Sequence, residues 1–168
     1  MALLQPNDDV PFNITRLSHM VLTARDLDKT RYFYETGLGL EVTGQDSDRL
    51  YLRAQEETSH HSLVFEKVSG DDKPVCRAVG YRMYKDADLK RAFDWFAERR
   101  CAPEWVERPH QGLTLRITDP VGVPVEFCAT MDQSENRMQN FHMHAGGKLA
   151  FLDHAQINTH DAATPYQL

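Results

Sequence analysis

One pattern, read twice along the chain, sets the fold. Arg16–Thr23 reads as a strand, since its β-branched and apolar residues come at its end. Asp26 offers a helix N-cap, and Lys29–Glu35 makes a short amphipathic helix that stops at Gly37 and Gly39. Leu40–Thr43, Arg49–Arg53 and Ser62–Lys67 follow as three short β runs, the first two joined by a turn at Gln45–Asp48. After a polar break at Ser69–Pro74 the order repeats. Arg77–Met83 is a strand and Asp88–Arg100 a helix; Glu104–Arg108, Leu113–Thr118 and Val123–Thr130 are strands, with Asp119–Gly122 as a turn. The chain thus contains two βαβββ modules, residues 14–68 and 75–130. A half-sheet cannot bury its face alone, whereas two can, so an α+β domain with the modules facing each other around a cleft is expected.

A third start follows. Leu152-Asp153-His154 through Asp161 repeats Leu17-Ser18-His19 through Asp26, as L-x-H with an Asp seven residues after the His. Residues 131–151 read as a linker with a short helix near Glu135–Phe141. Residues 1–13 are a polar lead-in, and residues 152–168 are the first strand of a further, truncated domain.

Four stretches carry a resemblance. They are Leu27–Tyr34 with Gly37–Leu40 (GLGL), Leu50–Phe65 (LYLRAQEETSHHSLVF), Leu115–Phe127 (LRITDPVGVPVEF) and Ala145–Ile157 (AGGKLAFLDHAQI). On these the chain resembles the vicinal oxygen chelate superfamily of glyoxalases, bleomycin-resistance proteins and extradiol dioxygenases. It is most similar to the N-terminal half of the catechol 2,3-dioxygenase and homoprotocatechuate 2,3-dioxygenase group. The resemblance implies a type I extradiol dioxygenase that opens a catechol with O₂. Its Fe(II), or Mn(II), is held by two His and one carboxylate, with open positions for both substrates. It also implies that His154 is the first iron ligand of the parent enzyme, that the other two lie past Leu168, and that the isolated chain is inactive. Within the first half, the duplication makes His19 the counterpart of His154. Glu126 stands where the last-strand carboxylate would be, while the remaining ligand position falls at Ala78, which has no lone pair to offer. His19 and Glu126 are therefore read as a relic.

Two alternatives stand beside this reading. One is a non-catalytic small-molecule binding or scaffolding module. The other is a glyoxalase-like dimeric metal enzyme using His19 and Glu126. His60 and His61, adjacent at a strand start, are expected to face opposite ways and serve structure. His110 is read as a turn residue, and His142, His144 and His160 as uninformative. The aromatic residues Tyr32, Phe33, Tyr34, Phe93, Trp95 and Phe96 are expected between helix and sheet.

Net charge is −6 with scattered basic residues, which argues against a nucleic-acid surface. No apolar run approaches a membrane span, and the start lacks a signal-peptide pattern. Cys76, Cys101 and Cys128 are widely spaced, which points to free thiols, with Cys76 and Cys128 as small apolar fillers on strands, and to a cytoplasmic protein. Homo-oligomers are common in the family, so self-association is expected.

Overall fold

The computed structural model describes residues 10–70 and 72–158. Among the described residues the strands are β1 (Ile14–Ala24), β2 (Glu41–Gln45), β3 (Arg49–Arg53), β4 (Leu63–Lys67), β5 (Cys76–Met83), β6 (Glu104–Val106), β7 (Thr114–Thr118) and β8 (Pro124–Cys128). Helix α1 (Leu27–Arg31) follows β1, and helix α2 (Asp86–Glu98) follows β5. All eight strands form one sheet in the order β2-β3-β4-β1-β5-β8-β7-β6. That order is symmetric about the β1/β5 seam. In each module the first strand runs parallel to the last, β1 to β4 and β5 to β8, and the other pairs are antiparallel. The seam itself is antiparallel, with His19 opposite Gly80. The two modules are therefore halves of one continuous sheet that curls so that β3 and β7 line the same cavity.

Each half buries its own helix. In the second, Leu89, Ala92, Trp95 and Phe96 of α2 cover Leu115, Ile117 and Phe127 of the sheet. In the first, Leu27 packs on Leu50, Leu52 and Phe65. Asp26 caps α1 by accepting from the Lys29 amide at 3.0 Å. The helix then widens into a π turn at Tyr32–Gly37. Tyr32 and Phe33 consequently leave the core and are mostly exposed, unlike the expectation, while Tyr34 reaches Phe65 at a 4.7 Å ring separation. Phe93 is half-buried and stacks on Trp105. Cys76 is exposed rather than a filler, because it stands at the very start of β5.

Both flanking segments dock. Of the lead-in, Phe12 is buried against Trp95 and Phe96, at 5.6 Å from each ring. Residues 131–151 lie against the first half. The Gln55 and Glu56 amides donate to the Leu149 and Ala150 carbonyls, and the Gly147 amide donates to Gly37 O. The GLGL turn is the bed for this approach. Gly39 has φ +78° and faces the Ala145 carbonyl so closely that a Cβ there would overlap it. The helix expected at Glu135–Phe141 does not form; a single 3-10 turn, Phe141–Met143, follows instead. Asn136 Oδ1 takes the Met138 amide, and Gln139 has φ +63°, both of which compete with a helical start. Leu152–Asn158 carries no strand, and the remainder of that expected strand, with His160 and Asp161, lies outside the described residues. Among the described residues no helix is long and apolar enough to cross a membrane.

Candidate functional site

The register at the centre of the sheet explains how two distant residues meet. His19 on β1 pairs with Gly80 on β5, and Gly80 pairs in turn with Glu126 on β8. With no side chain on the middle strand, the flanking ones close over it. His19 Nε2 lies 3.7 Å from Glu126 Oε2, and both side chains are fully buried. A Cβ on Gly80 would overlap the His19 imidazole. Gly80→Ala is therefore expected to cost about 1–3 kcal/mol, the usual range for overpacking, and to raise the exposure of His19. Urea unfolding with histidine NMR checks this; a variant as stable as the parent would show that the imidazole has room to move.

Arg108 completes the pair from the loop between β6 and β7. Its Nη2 and Nε donate to Glu126 Oε1 at 2.5 and 3.0 Å, and Nε also reaches Oε2 at 3.3 Å. Burial pushes the Glu126 carboxyl up, but the adjoining His19 imidazole and the hydrogen bonds and charge of Arg108 outweigh it and hold the group below its ordinary value. Beside it, the Gln111 amide nitrogen stands 3.2 Å from His19 Nε2 and 3.3 Å from His61 Nε2. Thr114 Oγ1 fixes that amide by donating to its carbonyl at 3.2 Å. His61 is buried, and this with its neighbours His19 and His60 drives its pKa down to about 2, so the ring is neutral at working pH.

The two adjacent histidines do not face opposite ways. They precede β4 rather than lie in it, and their Nδ1 atoms stand 3.1 Å apart. His60 stacks on His110 at 3.6 Å between centroids, and His110 sits at φ +66°, in keeping with a turn. Sequence reasoning points to neither Arg108 nor Gln111, since RPHQG reads as an ordinary polar turn, and it gives His61 a structural role only.

Whether this cluster suits a metal is decided by its donors. Ala78, opposite Val21 across the seam, offers none. Both Glu126 oxygens already face a guanidinium. Among the described residues no group of three His, Cys, Asp or Glu side chains could hold a metal ion. The cluster does not fit one; Arg108 stands in the place of a cation. His154 lies elsewhere, on the docked tail, its side chain 82% exposed and its Nδ1 3.1 Å from Asp153. His142 is exposed and His144 half-buried beside Phe141.

Residues 16–127 match the family described as the Glyoxalase/Bleomycin resistance protein/Dioxygenase superfamily. The chain belongs to that superfamily. Among solved structures, homoprotocatechuate 2,3-dioxygenase from Arthrobacter globiformis superposes with a TM-score of 0.80 at 33% identity, covering 89% of this chain and 47% of that one. The Brevibacterium fuscum enzyme, solved as an anaerobic complex with 3,4-dihydroxyphenylacetate, gives 0.80 at 31%, with 89% and 47% covered. A manganese-dependent 2,3-dihydroxybiphenyl 1,2-dioxygenase of Geobacillus genomosp. 3 is 23% identical over 117 residues, which are 68% of this chain and 36% of that protein. The chain thus spans less than half the length of these relatives.

Proposed function

We propose that this superfamily domain is the N-terminal, metal-free half of a type I extradiol dioxygenase, which opens a catechol with O₂ to a ring-opened semialdehyde. The observation that carries the reading is the similarity to homoprotocatechuate 2,3-dioxygenase over 89% of this chain but 47% of the relative. The manganese-dependent and substrate-bound relatives support a divalent metal and a catecholic ligand. In this reading His154 is the first ligand to Fe(II) or Mn(II), and two further donors must join it. When bound, the metal supplies the site where catecholate and O₂ meet. What the described residues contribute is placement. The Leu152 amide donates to Glu57 Oε1 at 3.0 Å, two residues before His154, so the first half sets where that imidazole stands. The exposed apolar side chains Phe141, Leu149 and Phe151 along this tail suit contact with a catalytic half or another subunit. Free thiols fit a cytoplasmic location.

The test uses the full gene product, loaded anaerobically with Fe(II) and given catechol, 3,4-dihydroxyphenylacetate or 2,3-dihydroxybiphenyl with O₂. A yellow ring-fission product is expected. His154→Ala should lower turnover by more than the roughly 100-fold cost of losing a residue that merely supports a metal ligand. Residues 1–168 alone should retain less than one equivalent of iron. A folded, iron-loaded full product that turns over none of the three catechols overturns the proposal.

A further inference from the structure

The concave face of the curled sheet holds a cavity of about 250 Å³ directly over Ala78. Its charge is lopsided. Arg49, Arg77, Arg108 and Arg116 line it, against Glu66 and Glu126 alone. Those two carboxylates are already engaged: Arg108 holds Glu126, and Arg49 Nε donates to Glu66 at 3.3 Å. Among the described residues the Arg116 side chain has only Glu104 at 3.8 Å, a side chain outside the lining that is largely exposed. Among the described residues the Arg77 side chain has no hydrogen bond or ion pair, and it is exposed at the mouth. His61 in the wall is neutral and adds no charge. Apart from Gln111, the remaining wall is apolar: Val21 and Val64 from neighbouring strands, Ala78 beneath, Pro109 and the Tyr51 ring. The cavity is a little smaller than typical ligand pockets, which run from roughly 300 to 1,000 Å³, so it suits a small ligand.

We propose that this cleft is a binding site for a small organic carboxylate with a short aromatic or apolar body. Guanidinium groups match a carboxylate in geometry as well as charge. Arg77 and Arg116 are the two with donors to spare, and the valine and tyrosine surfaces take the body of the ligand. Arg108 and Glu126 form the floor and are spent on each other. The site needs no metal, and its case does not rest on the ring-opening reading.

Calorimetric titration of the full chain with phenylacetate, phenylacetamide and inorganic phosphate is the test. Phenylacetate should bind saturably at one site, at least tenfold more tightly than its uncharged amide and than phosphate, and more weakly as salt rises. Arg77→Gln and Arg116→Gln should each weaken it about tenfold. Neither arginine is buried, so both variants should keep the parent's melting temperature. Amide NMR shifts on adding phenylacetate should centre on β3, β5 and β7. Absence of saturable binding, equal binding of the amide, or no loss in the double variant overturns the proposal. Phosphate binding tighter than the carboxylate overturns it too, since it would assign the arginines to an inorganic anion.

Discussion

Arg108→Ala is expected to destabilise the folded chain by about 3 kcal/mol at neutral pH. The figure is the lower end of the roughly 3–5 kcal/mol range for stripping one partner from a buried ion pair, chosen because the guanidinium is itself a quarter exposed. The loss comes from what stays behind: Glu126, 1% exposed, keeps its charge without the fork that neutralised it. The sign of the pH dependence follows. In the parent the carboxyl is held below its ordinary value, so its contribution is present above about pH 4.5 and fades as pH falls through the lowered value. In the variant, burial works unopposed by the guanidinium, and the carboxyl takes a proton readily in acid. The gap between variant and parent should therefore shrink between pH 7 and pH 4, and adding Glu126→Gln should recover most of it. Urea unfolding at both pH values reads this directly. An identical gap at pH 4 and pH 7 would mean that the pair is not what holds the centre of the sheet.

Arg53→Ala should cost a similar amount, about 3 kcal/mol, but show it in a different place. Arg53 is fully buried. Its Nη1 donates to the Glu57 carbonyl and, at 2.8 Å, to the Glu135 carbonyl; its Nη2 donates to Glu41 Oε2 at 2.6 Å. Truncation leaves two carbonyls without a donor, at about 1–3 kcal/mol for each buried group left unmade. Glu41 retains Arg137 at 3.1 Å, which limits the damage on the carboxylate side. Because Glu135 belongs to the docked tail, the tail should loosen before the sheet does. Faster tryptic cleavage after Arg137 and faster amide exchange over residues 131–152 are the expected signs. Unchanged cleavage would show that the Gly147, Leu149 and Ala150 bonds hold the tail unaided.

How much of this was legible beforehand varies with distance along the chain. The eight strands and two helices follow from local patterns, and their order repeats, so the architecture could be read directly. The pairing of His19 with Glu126 was also accessible, because duplication equates the two modules and strand position does the rest. Arg108 was not. Its partner is 18 residues away, and only the curl of the sheet brings the β6–β7 loop over Glu126. His60 and His61 escape the alternation of a strand for a related reason: they precede β4, where no ladder fixes which way each side chain points. The tail failed locally instead, since the polar run around Asn136 offered side-chain bonds that outbid a helix.

The seam has a consequence for how the molecule could be taken apart. Among the described strands, only the β1/β5 pairing crosses from one half to the other, and residues 68–75 join the two halves along the chain. Each half also lends an arm to the other: Phe12 at the front end grips α2, while the stretch after residue 131 lies back across the first half. A nick within the connection would leave the β1/β5 pairing and both arms in place. Two separately translated pieces should accordingly recognise each other and rebuild the whole, as a clasp closes from both sides.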